Sequence, residues 1–134
     1  MKHVTSMLVA CLVTFSAAAQ AADDPPFLDQ KSAATADGHA FFTHICQACH
    51  MADGKGAAGA GAYPALAANP RLASALYPAA MVLNGRAGMP AFGNVLSNQQ
   101  IADVVNYVRT HFGNDYHDPL TAAQVQALRP QEKP

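Results

Sequence analysis

Two cysteines three residues apart with a histidine directly behind them, Cys46-Gln47-Ala48-Cys49-His50, constrain this chain more than any other run of its sequence. On a helix, positions i and i+3 share a face, so both sulfurs approach a common object from one side and the imidazole follows at once. Three uses of such a pair compete. Half of a zinc site needs a second Cys pair, which the chain lacks. A thioredoxin-like redox pair needs surrounding strands, and no alternating apolar pattern marks one. The third use is covalent haem attachment, whose motif this pentapeptide matches. The two thiols then reach the two vinyl groups on one porphyrin edge, and His50 supplies a nitrogen ligand to the iron. Cysteine usage otherwise excludes a disulfide framework, because one pair does not staple a small secreted domain.

The amino terminus carries an export signal. Met1-Lys2-His3 is positively charged, Met7 to Ala19 is mostly apolar, and Ala19-Gln20-Ala21 supplies a small-x-small step. Residues 1–21 therefore read as a signal peptide cleaved near Ala21 or Ala22, which predicts a periplasmic protein. The apolar run is shorter than the ~18 residues of a spanning helix, so no membrane span is expected. Leu8-Val9-Ala10-Cys11 resembles a lipoprotein cleavage box, but too few apolar residues precede Cys11 for the ~7 an h-region needs. The remaining chain is rich in alanine and contains no Trp. That is a thin inventory for the core of a small domain, and it predicts that a bound group fills part of it. With 8 Lys+Arg, 9 Asp+Glu and no basic run, nucleic-acid binding is excluded.

Residues 22–34, with Asp23-Asp24-Pro25-Pro26, read as an extended segment. Thr35 is the expected cap of a helix running to about Cys49, with Phe41, Phe42 and Ile45 as its apolar stripe. The Gly- and Ala-rich residues 51–62 read as a loop. Asn69-Pro70 opens a short helix, and Tyr77-Pro78 opens another that stops at Asn84-Gly85. Ser97 with Gln100 forms a capping box ahead of a helix presenting Ile101, Val104, Val105, Val108 and Phe112, closed by Gly113. A second box, Thr121 with Gln124, opens a short tail helix through Leu128. The expected fold is all-α. Gly54-Lys55-Gly56-Ala57-Ala58-Gly59 spells the dinucleotide fingerprint, but no strand precedes it and residues 54–102 contain no Asp or Glu to hold a ribose. It reads as a flexible loop leaving the haem site.

A second axial ligand decides whether the iron only passes electrons or also binds small molecules. Met51 adjoins His50 and is held on the same side, while Met81 lies mid-helix, where a core-filling role is expected. Met89 stands in Gly88-Met89-Pro90-Ala91-Phe92-Gly93, an irregular segment whose Gly and Pro can set a backbone that delivers a thioether. Met89 is therefore the expected axial ligand opposite His50, and His/Met ligation raises the potential. His39, His44, His111 and His117 read as exposed helix or loop residues. Arg86 enters the distal loop three residues before Met89 and is a candidate contact for a haem propionate, with a solvated surface arginine as the alternative.

With Gly38 and Phe42 eight and four residues before Cys46, and Tyr107 in the last helix, the sequence resembles the class I cytochromes c over roughly residues 35–113. The resemblance implies N- and C-terminal helices crossing around one covalent haem c, with 114–134 as an extension carrying the short helix. It also supports Met89, since the family's distal ligand lies in a Met-Pro context before the last helix. It implies further that the Pro64 carbonyl in Gly61-Ala62-Tyr63-Pro64 accepts the proximal histidine's other N–H. Asn84-Gly85-Arg86-Ala87-Gly88-Met89-Pro90-Ala91-Phe92-Gly93 and Val104-Val105-Asn106-Tyr107-Val108-Arg109 are similar to cytochrome subunits of periplasmic dehydrogenases. The expected function is a one-electron carrier rather than an enzyme, with a dehydrogenase as donor and a terminal oxidase or another cytochrome as acceptor. A haem enzyme or gas-binding protein with an open or labile distal position is the alternative.

Overall fold

The computed structural model describes residues 36–59 and 61–130. The signal peptide at 1–21, the Cys11 alternative, segment 22–34 and Thr35 lie outside the described residues.

Helix α1 is built in three pieces: Gly38–Phe41, a π turn over Phe42–Cys46, and Gln47–His50. Its cap is Asp37 rather than Thr35, with Asp37 Oδ1 accepting from the Ala40 amide at 2.8 Å. The π turn, in which the Gln47 N–H reaches the Phe42 carbonyl, adds a residue to one turn. Phe41 and Phe42 are thereby both buried while the Cys46–His50 stretch lines a cavity.

The expectation of an all-α chain needs one correction. Strands β1 (Ala57–Ala58) and β2 (Ala62–Tyr63) pair antiparallel, within and one residue beyond the 51–62 segment read as loop. Two residues are too few to display an alternating pattern, so the pairing has no signature in the sequence. Its enabling residue is Gly56, at φ +67°, where a Cβ would stand 2.1 Å from the Tyr63 carbonyl oxygen.

A 3₁₀ turn, Pro70–Ala73, follows, with the Asn69 side chain accepting from the Arg71 amide. Helix α2 is Leu76–Asn84 and ends at Gly85, whose φ is +67°. Helix α3 is Asn98–Thr110 with the Ser97/Gln100 capping box formed, and α4 is Ala122–Leu128 with the Thr121/Gln124 box formed. Helix α3 stops short of Phe112, so Gly113 is not its cap. His111 leaves the helix extended, and Phe112 takes φ +58° to turn its ring back onto Phe42, centroids 4.7 Å apart.

Helices α1 and α3 pack against each other where Gly38 lies over Asp103, and Tyr107 meets Phe42 at 5.7 Å. Phe41, Phe42, Ile101, Val104, Val105 and Val108 form the core at this contact, and Leu120 and Val125 extend it under the tail. Arg109 is also fully buried. Its Nε donates to the Leu72 carbonyl at 2.9 Å, and its guanidinium reaches the Ala73 carbonyl at 3.2 Å, the Asp118 carbonyl, and Asp118 Oδ1 at 2.6 Å. One side chain thus ties the 3₁₀ turn to the segment between α3 and α4.

Replacing Arg109 by Met leaves the Leu72 and Ala73 carbonyls without that donor, which costs about 3 kcal/mol and lowers the urea midpoint. Hydrogen bonding from Arg109 also holds the Asp118 carboxyl below the usual carboxylate range. Because that folded-state value is depressed, the stabilisation is present above the ordinary Asp value of about 3.9 and is lost as pH falls through the lowered one. Urea titrations at acid pH should therefore show a weaker acid dependence in Arg109→Met than in the parent.

Candidate haem site

Each wall of the site is set by a local feature of the chain. Cys46, Cys49 and His50 come from the end of α1, which stops because Met51 adopts φ +63°. The chain then folds back. The Gly56 amide bonds the His50 carbonyl at 3.0 Å, and the Leu66 and Ala67 amides both bond the Gly54 carbonyl. This reversal and the β1–β2 hairpin bring Pro64 beneath His50, with His50 Nδ1 2.9 Å from the Pro64 carbonyl oxygen. The carbonyl can only accept, so Nδ1 carries the proton and Nε2 keeps its lone pair for a metal. Gly54 and Gly56 of the misleading dinucleotide string thus serve the turn that orients this imidazole.

The distal segment is equally determined. Gly85 turns the chain out of α2, and a Cβ there would stand 2.6 Å from the Met89 carbonyl oxygen. Arg86 and Met89 exchange backbone bonds of 3.0 and 2.9 Å. The Phe92 and Gly93 amides then dock on the carbonyls of Val82 and Leu83.

These pieces enclose a cavity of ≈ 480 Å³, within the range of about 300–1,000 Å³ common for cofactor sites. Cys46, Cys49, His50, Pro64, Arg86 and Met89 all line it, against walls that include Ile45, Leu72, Val104 and Val108. His50 is nearly buried at 8% exposure. As a free thiol, Cys46 is pushed up to about 11 by burial, with Cys49 beside it adding to the shift. A thiol held neutral lacks the low-pKa thiolate of a disulfide oxidoreductase. A flat apolar macrocycle with two thioether links, a nitrogen ligand and a thioether ligand fits this donor set and these walls.

Met81 lines the same cavity from α2 rather than filling core elsewhere, so two methionines border the site. Arg71 joins Arg86 on the cavity wall, and the third cation of the acid-free stretch, Lys55, pairs with Asp53 at 3.1 Å. His39, His44, His111 and His117 are exposed, and none of them lines the cavity. His39 and His111 instead pack on the Tyr107 ring at 5.4 and 4.0 Å.

Asn114 went unnoticed in the sequence. Its side chain accepts from the Asn69 amide and donates to the Leu66 carbonyl, both at 2.9 Å, which ties the Pro64-bearing loop to the end of α3. These two partners lie 45 and 48 residues away in the chain, so no local pattern reveals the tie.

This fold and cavity define a cytochrome c domain. Residues 33–108 match the family described as cytochrome c oxidase, cbb3-type, subunit III, and the chain belongs to that family. Membership implies covalently bound haem c. The chain is 32% identical over 105 residues to the cytochrome c subunit of a quinone alcohol dehydrogenase from Gluconobacter oxydans, covering 69% of this chain and 22% of that one. It is 38% identical over 95 residues to the fructose dehydrogenase cytochrome subunit of Gluconobacter japonicus, covering 60% of this chain and 19% of that one. The chain therefore spans about a fifth of the length of these relatives. Cytochrome cL of Methylophaga aminisulfidivorans superposes with a TM-score of 0.49 and 26% identity, covering 79% of this chain and 71% of that one. Among the described residues, no helix is long and apolar enough to cross a membrane.

Proposed function

We propose that this protein is a monohaem c-type cytochrome of the periplasm that carries single electrons and performs no substrate chemistry. In this reading residues 1–21 are removed on export, 35–113 form the haem domain, and 114–134 form an extension that closes it. The observation that carries the proposal is the convergence of Cys46, Cys49, His50 and Met89 on one cavity, with His50 Nδ1 held by the Pro64 carbonyl. Haem c, when bound, supplies an iron that takes up and releases one electron.

The chain's residues set the terms of that exchange. Cys46 and Cys49 hold the group through thioethers. His50 donates its Nδ1–H to Pro64, which orients the ring and makes Nε2 a stronger ligand. Met89, in the irregular distal segment, would ligate the iron of a bound haem, which would raise the potential and keep small molecules from the metal. Arg86 would contact a propionate of a bound haem, a role supported by its place on the cavity wall in a stretch without carboxylates.

The donor in this reading is a periplasmic dehydrogenase, as the names of the similar cytochrome subunits suggest. The acceptor is a terminal oxidase or another cytochrome. Contact with both is brief, because electron-transfer encounters sit at the low end of interface areas.

The test is made on protein exported with its own leader. One haem per chain, retained on denaturation and titrating reversibly as a single one-electron couple, is the expected result. Haem extracted by denaturant, or a couple that is not one-electron, would contradict it.

A further inference from the structure

We propose that Arg129, from the tail after α4, is a positioning residue for Met89: it locks the turn at which the distal segment rejoins the fold and so keeps the thioether at the cavity. The proposal rests on the reading of Met89 as an iron ligand.

The distal segment is pinned at two places. At its start, Gly85 and the reciprocal Arg86–Met89 backbone pair fold the chain tightly. At its end, Phe92 and Gly93 bond the last turn of α2, so only Pro90 and Ala91 separate Met89 from the second pin. That second pin is where the tail takes hold. The Arg129 guanidinium donates to the carbonyls of Gly93 and Leu96, the latter at 3.0 Å, and its Nε donates to Asn98 Oδ1 at 2.6 Å. A single planar fork therefore bridges both ends of the 93–96 turn and the first residue of α3. Gly93 permits the close docking of this turn on α2, since a Cβ there would stand 2.8 Å from the Leu83 carbonyl oxygen.

Arg129 is itself well anchored. Val125, one turn earlier on α4, is fully buried, and α4 packs on both α2 and α3. Gln126 Oε1 accepts from Asn98 Nδ2 at 2.7 Å, a second link between the same two elements. The hydrogen bonds of Arg129 reach the Met89 side of the site, whereas the loop under His50 is tied instead by Asn114. Loss of Arg129 should therefore loosen Met89 and leave the thioethers, His50 and Pro64 in place.

Carbon monoxide binding to the reduced holoprotein reads this directly, compared among the parent, Arg129→Gln, Arg129→Lys, Met89→Ala and the double variant Met89→Ala/Arg129→Gln. Charge-assisted hydrogen bonds are the strong ones, so Arg129→Gln is expected to bind carbon monoxide at least about tenfold faster than the parent. Lys keeps the charge but not the fork, and should fall between the two. Once Met89 is gone, Arg129→Gln should have almost no further effect, because its action runs through that ligand.

An Arg129→Gln protein as slow as the parent, alongside a fast Met89→Ala, would overturn the positioning role and spare the ligand assignment. Equal acceleration in both backgrounds would also overturn it, because the effect would not pass through Met89. A Met89→Ala protein that binds no carbon monoxide would remove the ligand assignment and the proposal with it. If Arg129→Gln does not accumulate, Arg129→Lys decides: faster than the parent supports the proposal, and equal to it contradicts it.

Discussion

Gly38→Ala should lower the thermal midpoint by roughly 4–16 °C, from a net cost of about 1–2 kcal/mol at about 4–8 °C per kcal/mol for a domain of this size. Two effects oppose each other at this position. Alanine favours the helix over glycine by up to about 1 kcal/mol. Against that, the new Cβ would stand 2.2 Å from the Asp103 carbonyl oxygen, 2.7 Å from its carbon and 2.8 Å from Tyr107 Cβ. The nearest atoms are the backbone of α3, which cannot rotate aside as a flexible side chain would, so the helices must separate. Overpacking of this kind costs about 1–3 kcal/mol and occasionally more, and the helix-propensity gain does not offset it. The same shift moves α1, which carries Cys46, Cys49 and His50, away from the Val104–Val108 wall of the cavity. Gly59→Ala serves as the control, because nothing lies within 4 Å of a Cβ there. Its midpoint should match the parent's.

Met89→Ala should turn a reduced protein that takes up carbon monoxide only very slowly into one that binds it rapidly and stoichiometrically, and should lower the reduction potential. Thioether ligation raises the potential of a histidine-ligated haem. Its loss is expected to cost on the order of 100 mV, nearly two decades in the one-electron equilibrium at about 59 mV each. Met81→Ala is the informative comparison, since Met81 lines the same cavity. Met81 sits within the regular helix α2, whereas Met89 sits in a segment whose backbone is held by Gly85 and by the pairing with Arg86. Met81→Ala should therefore bind carbon monoxide as slowly as the parent and keep a potential near the parent's. If the two variants exchange behaviours, Met81 is the ligand.

The parts of this molecule that could be read from its sequence are those whose cause is local. Cys46 to His50 carry their chemistry in five consecutive residues. Ser97 with Gln100 and Thr121 with Gln124 announce two helices through side chains three apart, and both boxes form. Phe42 shows in the apolar stripe of its helix, but the meeting of Gly38 and Phe42 with Tyr107 is legible only through resemblance, since nothing local says that Gly38 meets Asp103. Features that depend on distant partners left no such trace. The start of α1 at Gly38 rather than beside Thr35 reflects Asp37 competing successfully for the cap. Phe112 leaves the periodicity of α3 at φ +58° with its ring set against Phe42, a partner that lies far away in the chain. Arg109 and Arg129 look in the sequence like any surface arginine, yet each satisfies backbone carbonyls some thirty residues away or more. At the site, the family resemblance implied Pro64 under His50, and the hairpin that delivers it was invisible because each strand is two residues long.

Adding carbon monoxide to the reduced, unaltered protein tests the proposed electron carrier most directly. With His50 and Met89 both bound, the low-spin haem c spectrum should not change on mixing. Rapid, stoichiometric conversion to a carbon monoxide adduct would show an open sixth position, contradict Met89 as the standing ligand, and turn the reading toward a haem enzyme or gas-binding protein.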